Sequence, residues 1–304
     1  MAAVGFIGLG HMGGALAARL APQVDLRVLD LDPGRVAAAC AAGAHPAGTV
    51  AEIASECSLV ITCLPTSGQV RQVVSGEDGL ACALAPGSLV IDCTTGEPQV
   101  TRELAAELTA RGMGMIDAPV SGGPQLAAAG TIAIMVGGPV EWYERGLPIL
   151  RLISPNVRHV GPSGAGHVVK LLNNVLAAGH RLLAFEMAAV AAAEGVSPQT
   201  FIDVVNLGSG RSYATEVTMP RHVFGDALAQ GFSLGLMAKD VGLGCQLLPE
   251  GVERISLALR VRERLLAELA ALGPDADINQ TIETYERAAH TAVATSLRPG
   301  QASS

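Results

Sequence analysis

One amine and two amides interrupt an apolar helical stretch in the middle of the chain. The sequence His167-Val-Val-Lys-Leu-Leu-Asn-Asn-Val-Leu continues without a proline until Pro198. Lys170 lies three residues before Asn173 and four before Asn174, so the three share one face of the predicted helix. A buried ammonium is unfavourable unless it has a partner or a lowered pKa, and such a lysine can act as an acid or base. On the helix alone, a lysine that extends from the helix end to solvent explains the pattern equally well.

A glycine-rich turn near the N-terminus has the spacing of a dinucleotide site. An apolar run over residues 2–7 leads into Gly8-Leu-Gly10-His11-Met12-Gly13 and an alanine-rich helical segment. This is G-x-G-x-x-G between a strand and a helix. Gly8 permits the tight turn, Gly10 lets a pyrophosphate approach the backbone, and Gly13 lets helix and strand pack closely. The start of the helix, with His11 and Met12, faces the pyrophosphate.

An acidic residue follows where the cofactor ribose is expected. The next predicted strand ends at Asp30, about 20 residues after Gly8, which is the spacing of the ribose-binding carboxylate. A carboxylate accepts hydrogen bonds from a free 2′-hydroxyl and repels a 2′-phosphate, and no arginine immediately follows. The cofactor is therefore predicted to be NAD and not NADP. Asp32 either shares this role or starts the turn at Pro33-Gly34.

Strand and helix signals alternate through the first half of the chain. Strands are predicted at residues 24–30, 58–64, 88–92, 114–118, 131–136 and 156–160, and helices at 98–112 and 140–153. This alternation predicts an α/β fold with an N-terminal Rossmann-type doubly wound, mostly parallel sheet. Ligands of such sheets lie beyond the C-terminal strand ends, where Leu64-Pro65, Thr94-Thr95 and residues 117–123 fall. For Leu64-Pro65, ordinary turn chemistry explains the sequence as well as cofactor contact does.

The segment Asp117-Ala-Pro-Val-Ser121-Gly122-Gly123 combines a hydroxyl with unblocked backbone N–H groups. Such a loop makes a concave anion site and would hold a small carboxylate. A merely flexible loop is an equally good explanation of this segment alone.

The second half of the chain shows helix signals and no strand signals. It predicts an all-α C-terminal domain, with domains at 1–162 and 163–304 and the long helix between them. Because that helix is apolar on nearly every face, we expect it to be buried on all sides and covered by a second subunit in a homodimer or homotetramer. Arg211 lies in a glycine-rich loop and is a candidate second contact to a substrate carboxylate, although a solvent-facing arginine is commoner.

Composition excludes several classes of function. The net charge of −8 at pH 7 with no basic cluster argues against nucleic acid as a partner. The six cysteines contain no C-x-x-C pair and lie mostly in apolar runs, which indicates buried thiols in a reducing compartment. The histidines are scattered without metal-ligand spacing, so no metal is expected. The first residues form a short strand and not a signal peptide, and charged and amide side chains interrupt the long helix. A soluble cytoplasmic protein without a membrane partner is predicted.

Taken together, these segments resemble the β-hydroxyacid dehydrogenase family, most nearly its 3-hydroxyisobutyrate branch. The matching pieces are the glycine turn at 8–13, the Ser-Gly-Gly segment at 117–123, and Gly161-Pro-Ser-Gly-Ala-Gly-His-Val-Val-Lys-Leu-Leu-Asn-Asn, together with Lys239-Asp240. The sequences Leu236-Met-Ala-Lys-Asp and Gly208-Ser-Gly-Arg-Ser-Tyr point toward the hydroxyisobutyrate branch. The resemblance covers nearly the whole chain. Leu126 departs from it, because the family commonly has a small residue there, and this puts the exact substrate in question.

The resemblance implies a role for each site residue. Lys170 would be the general acid/base and Asn174 would orient substrate or lysine. Ser121, Gly122 and Gly123 would hold the substrate carboxylate, Thr95 would lie on the nicotinamide side, and Lys239 would contact the cofactor. The reaction would interconvert a small β-hydroxy acid and its semialdehyde or keto acid.

Three alternatives require a different residue or a different domain length from those found in this sequence. An imine reductase of the same superfamily would have another residue at the position of Lys170. The decarboxylating phosphogluconate enzyme needs a longer helical domain. A non-catalytic member used as a binding module would be expected to lose the lysine or the Ser-Gly-Gly segment, and both are present. The substrate itself stays open between hydroxyisobutyrate, glycerate, serine, threonate and semialdehydes of the tartronate or succinic type.

Overall fold

Two compact units make up the protein. The computed structural model describes residues 3–225 and 228–294. The chain divides into Met1–Lys170 and Leu171–Ser304. The division falls inside the long helix, eight residues after the boundary predicted at residues 162 and 163.

The first unit is built on one nine-stranded sheet with the order β3-β2-β1-β4-β5-β6-β8-β7, and β9 pairs with β8. Its strands are β1 Ala3–Ile7, β2 Leu26–Leu29, β3 His45–Pro46, β4 Cys57–Thr62, β5 Leu89–Asp92, β6 Gly114–Asp117, β7 Val120–Ser121, β8 Ala133–Gly137 and β9 Val157–Gly161. Its helices are α1 His11–Leu20, α2 Pro33–Ala41, α3 Val50–Glu56, α4 Ser67–Ser75, α5 Leu80–Ala83, α6 Pro98–Ala110, α7 Gly123–Ala128 and α8 Val140–Ile153.

Alternating side chains of the central strands bury both faces of this sheet. Phe6 and Ile91 contribute to one apolar cluster, whereas Val60 and Val90 contribute to another. A strand with both faces covered becomes continuously apolar, which is why these runs were recognisable in the sequence. The prediction of a Rossmann-type, mostly parallel sheet is confirmed.

The edge of the sheet formed by β7, β8 and β9 was not predicted in detail. β8 runs antiparallel to both β6 and β7, and β9 returns parallel to β8. Two-residue strands such as β7 give too little periodicity to be read from sequence. Nearby, the tryptophan Trp142 of α8 packs on Gly114, where an added Cβ would lie 2.1 Å from the ring.

The second unit is helical, as predicted. Its elements are α10 Pro198–Val205, a π-helix at Ala214–Val223, α11 Leu234–Cys245, α12 Leu257–Leu272, a 3₁₀ helix at Ile278–Thr281 and α13 Ile282–Ala289. The sequence does not predict the π-helix. It predicts one last helix over residues 277–290, where the structure has the 3₁₀ helix followed by α13. The sequence predicts a frayed tail at residues 297–304, which lie outside the described residues.

The long helix α9, Ala165–Ala193, begins in the first unit and continues into the second. Within the second unit it buries Ala178 and Phe185 completely. Within the single chain, one stripe of α9 is exposed: Leu172, Leu176, Leu183, Met187 and Val190. The cover expected from a second subunit stays a prediction. By length and hydropathy alone α9 could cross a membrane, a test that the core helix of a soluble protein also passes.

The cysteines have different environments. Cys57, Cys93 and Cys245 are buried, Cys40 and Cys63 are half-buried, and Cys82 is exposed; all six are free thiols. Burial raises the pKa of the Cys57 thiol to about 11 and that of Cys63 to about 12. Such thiols stay protonated and unreactive at neutral pH.

Candidate active site

The glycine turn has the geometry that a dinucleotide requires. Gly8 has φ +97°, and a Cβ there would lie 2.4 Å from the carbonyl oxygen of Cys63. A Cβ on Gly13 would lie 2.0 Å from the carbonyl oxygen of Gly8, so helix α1 and strand β1 approach too closely for any other residue. Gly10 differs, because the nearest atom to its Cβ position is 3.9 Å away. No side chain caps α1, so its first N–H groups remain available to an anion.

Asp30 is held by backbone amides at the end of β2. Its Oδ2 accepts the Leu9 N–H at 2.6 Å and its Oδ1 accepts the Asp32 N–H at 2.8 Å. Asp32 starts the turn, because its side chain caps α2 by accepting the Gly34 N–H. The structure adds Arg35, whose guanidinium lies 3.4 Å from Asp32 and 3.9 Å from Asp30. Sequence reasoning missed Arg35 because it follows Asp30 by five residues and only the first turn of α2 brings it back.

The other predicted cofactor residues follow parallel strands in register. Ile7, Thr62, Asp92 and Asp117 are successive partners across β1, β4, β5 and β6, so the segments after them lie at one edge. The Leu64 N–H donates to Oγ1 of Thr94 at 3.0 Å, which links two of these segments. Pro65 is exposed and Thr95 is half-buried.

Asp117 fastens the start of α9 to the sheet. It is fully buried, and its carboxylate accepts the N–H of Gly164 at 2.7 Å and that of His167 at 2.9 Å. Cβ atoms on Gly137 and Gly166 would approach its oxygens to 2.5 and 2.8 Å. The carboxylate therefore satisfies N–H groups at the beginning of the helix in a space that glycines keep free. Lys170 lies on the next turn of this helix.

His167 makes a second tie from α9 to the sheet. Its ring is fully buried, with Nε2 2.9 Å from the Thr94 carbonyl oxygen and Nδ1 2.9 Å from the Thr101 hydroxyl. A carbonyl oxygen only accepts, so Nε2 of His167 carries a proton and donates it to Thr94. The sequence predicts packing or surface hydrogen bonds for His167 and not catalysis, and it does not predict this buried tie to the sheet. Its position one turn before Lys170 was the available signal.

The Ser-Gly-Gly segment makes an open backbone corner in the same unit. Ser121 ends β7, and Gly122 and Gly123 have φ of +138° and +79°. A Cβ on Gly123 would have nothing within 4 Å, whereas one on Gly122 would lie 2.8 Å from a methyl group of Leu126. Leu126 thus packs under the corner and contributes to its shape.

Four polar residues of the second unit form a linked group. The Asn174 amide donates to Oδ2 of Asp240 at 2.7 Å, and the Asn173 amide donates to Oδ1 of Asn174 at 3.2 Å. The Lys239 ammonium lies 3.2 Å from Oδ1 of Asp240, an ion pair without good hydrogen-bond geometry. Asn174 and Asp240 are buried. Asp240 had been noted only as part of a motif, although it orients Asn174.

Arg211 is exposed, and Tyr213 beside it is half-exposed. The contact of Arg211 with a substrate carboxylate stays a prediction.

Two family descriptions match the chain in tandem. Residues 3–161 match the NAD binding domain of 6-phosphogluconate dehydrogenase, and residues 164–285 match the NAD-binding part of NADP-dependent 3-hydroxyisobutyrate dehydrogenase. The chain belongs to the β-hydroxyacid dehydrogenase family.

The relatives of this dehydrogenase act on different small molecules. The 2-(hydroxymethyl)glutarate dehydrogenase of Eubacterium barkeri is 35% identical over 249 residues, 82% of this chain and 83% of that one. The NAD-dependent L-serine dehydrogenase of Pseudomonas aeruginosa is 37% identical over 278 residues, 88% and 93% of the two chains. The structure of Mycobacterium tuberculosis 3-hydroxyisobutyrate dehydrogenase with L-serine has a TM-score of 0.84 at 32% identity, covering 93% and 99%.

The residues present fit the NAD of this family. Gly8 and Gly13 allow the close turn and the surface at Gly10 is open. No side chain caps the N-terminal end of α1. Asp30 lies where the ribose carboxylate belongs. Within residues 3–225 and 228–294, no three His, Cys, Asp or Glu side chains are grouped as metal ligands.

Cofactor choice gives a first testable expectation. The Asp30 carboxylate should make kcat/KM with NAD at least ~10-fold higher than with NADP, or about 1.4 kcal/mol. In Asp30→Ala the carboxylate that repels a 2′-phosphate is gone and Arg35 keeps Asp32 as its remaining acidic neighbour, so the preference should fall to within a few-fold. Steady-state kinetics with both cofactors measure this. Arg35→Ala is the control, and it should widen the preference for NAD. Equal use of both cofactors by the unaltered enzyme would contradict the assignment of Asp30 to the ribose.

Proposed function

We propose that this dehydrogenase interconverts a small β-hydroxy acid of the 3-hydroxyisobutyrate type and its semialdehyde, with Lys170 as general acid/base and NAD as the preferred cofactor. The observation that carries the proposal is the attachment of α9. Asp117 and His167 fix the first turn of α9 to the strand edge that also carries the glycine turn. Lys170 follows within one turn and is buried.

The proposed chemistry needs one proton transfer from this chain. NAD, when bound, accepts the hydride that leaves the hydroxyl-bearing carbon. Lys170, as a neutral amine, removes the hydroxyl proton, and in the reverse direction its ammonium returns that proton to the oxygen. Asn174 follows on the next turn of α9, held by Asp240, and orients the hydroxyl or the lysine. No second acid or base is required.

The substrate carboxylate is assigned to the Ser121 corner. The Ser121 hydroxyl and the N–H groups of Gly122 and Gly123 supply hydrogen bonds without a buried positive charge. The open space at Gly123 permits the approach. Leu126 beneath Gly122 limits the group carried on the α-carbon, which makes this contact a determinant of the substrate.

A substrate panel tests the proposed function. Hydroxyisobutyrate, glycerate, serine and threonate, and the tartronate and succinic semialdehydes, are assayed with NAD and with NADP. At least one β-hydroxy acid or its semialdehyde should turn over with a kcat/KM in the common range of enzymes, ~10⁴ M⁻¹s⁻¹ or above. No turnover across the panel would favour the non-catalytic binding module.

Ser121→Ala should act on binding more than on the chemical step. The carboxylate is held alike in ground state and transition state, so losing one neutral hydrogen bond should raise KM for the acid about 5- to 10-fold while kcat falls less. Initial-rate kinetics separate the two constants. Ser75→Ala, at the last residue of α4, is the matched control and should leave both constants unchanged. A fall in kcat alone would place Ser121 in the chemistry and not in carboxylate binding.

We further propose that the exposed stripe of α9 pairs with a second copy of the chain. Leu176, Leu183 and Val190 are exposed and recur every seven residues, the spacing of a helix–helix seam. We expect the interface to bury part of residues 182–190, which include Leu183 and Val190. Light scattering at micromolar concentration should show a dimer or tetramer. Leu183→Glu should dissociate it, whereas Leu266→Glu, at an exposed leucine on α12, should not. A monomeric unaltered protein would refute the pairing.

A further inference from the structure

The ring of His167 fills a closed space between two segments of the first unit. His167 is fully buried on the first turn of α9, and its Nε2 lies 2.9 Å from the carbonyl oxygen of Thr94. Its Nδ1 lies 2.9 Å from the hydroxyl of Thr101 on α6. A Cβ added to Gly96 would lie 3.1 Å from Cε1 of the ring. The ring therefore contacts the residues on both sides of Thr95, by a hydrogen bond at Thr94 and by close packing at Gly96.

The loop that this ring contacts, residues 94–96, is itself held at both ends. At its start, the Thr94 N–H donates to Oδ1 of Asp92, the last residue of β5, at 3.0 Å. Just after it, the Glu97 N–H donates to Oγ of Ser67, the first residue of α4, at 2.7 Å. The 94–96 loop is thus a fixed part of the first unit, and a side chain that bonds to it is fixed in turn.

The backbone of His167 is held by a different strand from its side chain. The His167 N–H donates to Asp117 at the end of β6 at 2.9 Å, whereas the imidazole donates to Thr94 beyond the end of the neighbouring strand β5. With the Asp117 contacts alone, the first turn of α9 could pivot about the end of β6, and the imidazole opposes that movement. Lys170 follows three residues later on the same face of the helix, so a pivot would displace its amine relative to the 94–96 loop.

We propose that His167 is a positioning residue for the reaction, which holds the amine of Lys170 at a fixed place relative to the 94–96 loop. The inference rests on the proposed function, which takes Lys170 as the acid/base and Thr95 as the contact on the nicotinamide side. The hydroxyl proton and the hydride leave the same C–OH group in different directions, so both acceptors must be aligned with one substrate position. A misplacement of about 1 Å lowers such a rate by ~10²-fold. Because the ring is fully enclosed, His167 acts through its neighbours and not on the substrate.

Two substitutions that keep different halves of the imidazole test this inference. A glutamine amide reaches about as far from the backbone as Nε2 does, and an asparagine amide about as far as Nδ1. His167→Gln therefore keeps an N–H for the Thr94 carbonyl, whereas His167→Asn keeps only the contact with Thr101. His167→Gln should retain kcat within a few-fold, and His167→Asn should lose ~10²-fold in kcat. The KM for the acid should stay within a few-fold in both variants, because its carboxylate is assigned to Ser121.

Thr101→Val is the matched control for this pair. It removes the partner of Nδ1 and lowers stability by leaving a buried polar atom unpaired, but it keeps the contact of His167 with Thr94. Its kcat should therefore stay within a few-fold of the unaltered enzyme. Denaturant unfolding of Thr101→Val and His167→Asn shows how much stability each variant loses. A kcat of His167→Asn within a few-fold of the unaltered enzyme overturns the inference, and so does an equal loss of kcat in Thr101→Val.

Hydrogen exchange without cofactor or substrate separates this inference from the proposed function. The amides of Thr94 and Glu97 at the loop, and those of Gly164 and His167 at the start of α9, are hydrogen-bonded. In His167→Asn both groups should exchange faster by ~10-fold or more, since local opening becomes easier, whereas in Thr101→Val and His167→Gln the loop amides should stay slow. Mass spectrometry of peptides that cover the two segments measures this.

The two proposals can fail separately. If no acid or semialdehyde of the panel is turned over, the proposed function fails, while the exchange of these amides still decides whether His167 joins the loop to α9. Unchanged exchange at Thr94 and Glu97 in His167→Asn overturns the inference and leaves the dehydrogenase in place.

Discussion

Lys170→Ala is expected to lower kcat by ~10²–10⁴-fold, the usual contribution of a positioned acid or base. The residue lies beyond the glycine turn, so NAD affinity and the fold should be retained. Lys170→Arg should be almost as slow, because a guanidinium does not release its proton near neutral pH. Stopped-flow and steady-state rates with the best substrate of the panel measure both variants, and a thermal melt checks that they fold.

The other lysine of the chain provides a direct comparison for Lys170→Ala. The sequence contains two lysines, Lys170 and Lys239. Lys239→Ala should act mainly on the KM for NAD, because Lys239 is assigned to the cofactor. With Lys239 removed, Lys170 is the one lysine of the chain, and amine-selective labelling followed as a function of pH at the peptide that contains Lys170 separates its amine from the α-amino group. Turnover by Lys170→Ala within a few-fold of the unaltered enzyme would make the lysine structural and the proposed mechanism wrong.

Asp117→Asn should be the most damaging conservative change in the sheet. The amide can accept from one of the two N–H groups of Gly164 and His167 but presents N–H to the other, and a buried donor is left unpaired. The free energy of unfolding should fall by about 2–4 kcal/mol. Because the first turn of α9 positions Lys170, kcat should fall as well, by ~10²-fold for a displacement of about 1 Å.

Denaturant unfolding and kcat at saturating substrate give the two readings for Asp117→Asn. Asp25→Asn is the control, since that carboxylate is on the surface near Arg27, and it should change stability by no more than ~0.5 kcal/mol. A variant at Asp117 with unaltered stability and rate would show that the two bonds do not hold the helix. Loss of stability with an unchanged kcat would show that Asp117 stabilises the fold but does not position Lys170.

Features that depend on residues close together in the sequence were predictable. The glycine turn, Asp30 and the apolar strands depend on spacing over a few residues, and the structure reproduces them. Features that depend on side-chain contacts across the chain were not. Asp117 meets His167 fifty residues later, and Asn174 meets Asp240 sixty-six residues later. No periodicity links such pairs.

The environment of α9 shows the same limit. Its apolar composition was read as burial on every side, yet composition cannot say which neighbours are present, and a stripe from Leu172 to Val190 stays exposed. The guanidinium of Arg181 was equally unremarkable in sequence. Only the structure shows that two of its nitrogens lack acceptors among the described residues.

Trp142, packed on Gly114, also provides an optical probe of one half of the protein. It is the one tryptophan of the chain and lies in the first unit. Intrinsic fluorescence therefore follows the melting of the sheet, whereas far-ultraviolet circular dichroism is weighted toward the helices, including those of the second unit. Coincident transitions would indicate that the halves unfold together, and separated transitions that they unfold independently. Fluorescence should thus distinguish variants that loosen the nucleotide-binding half from those that act only beyond it.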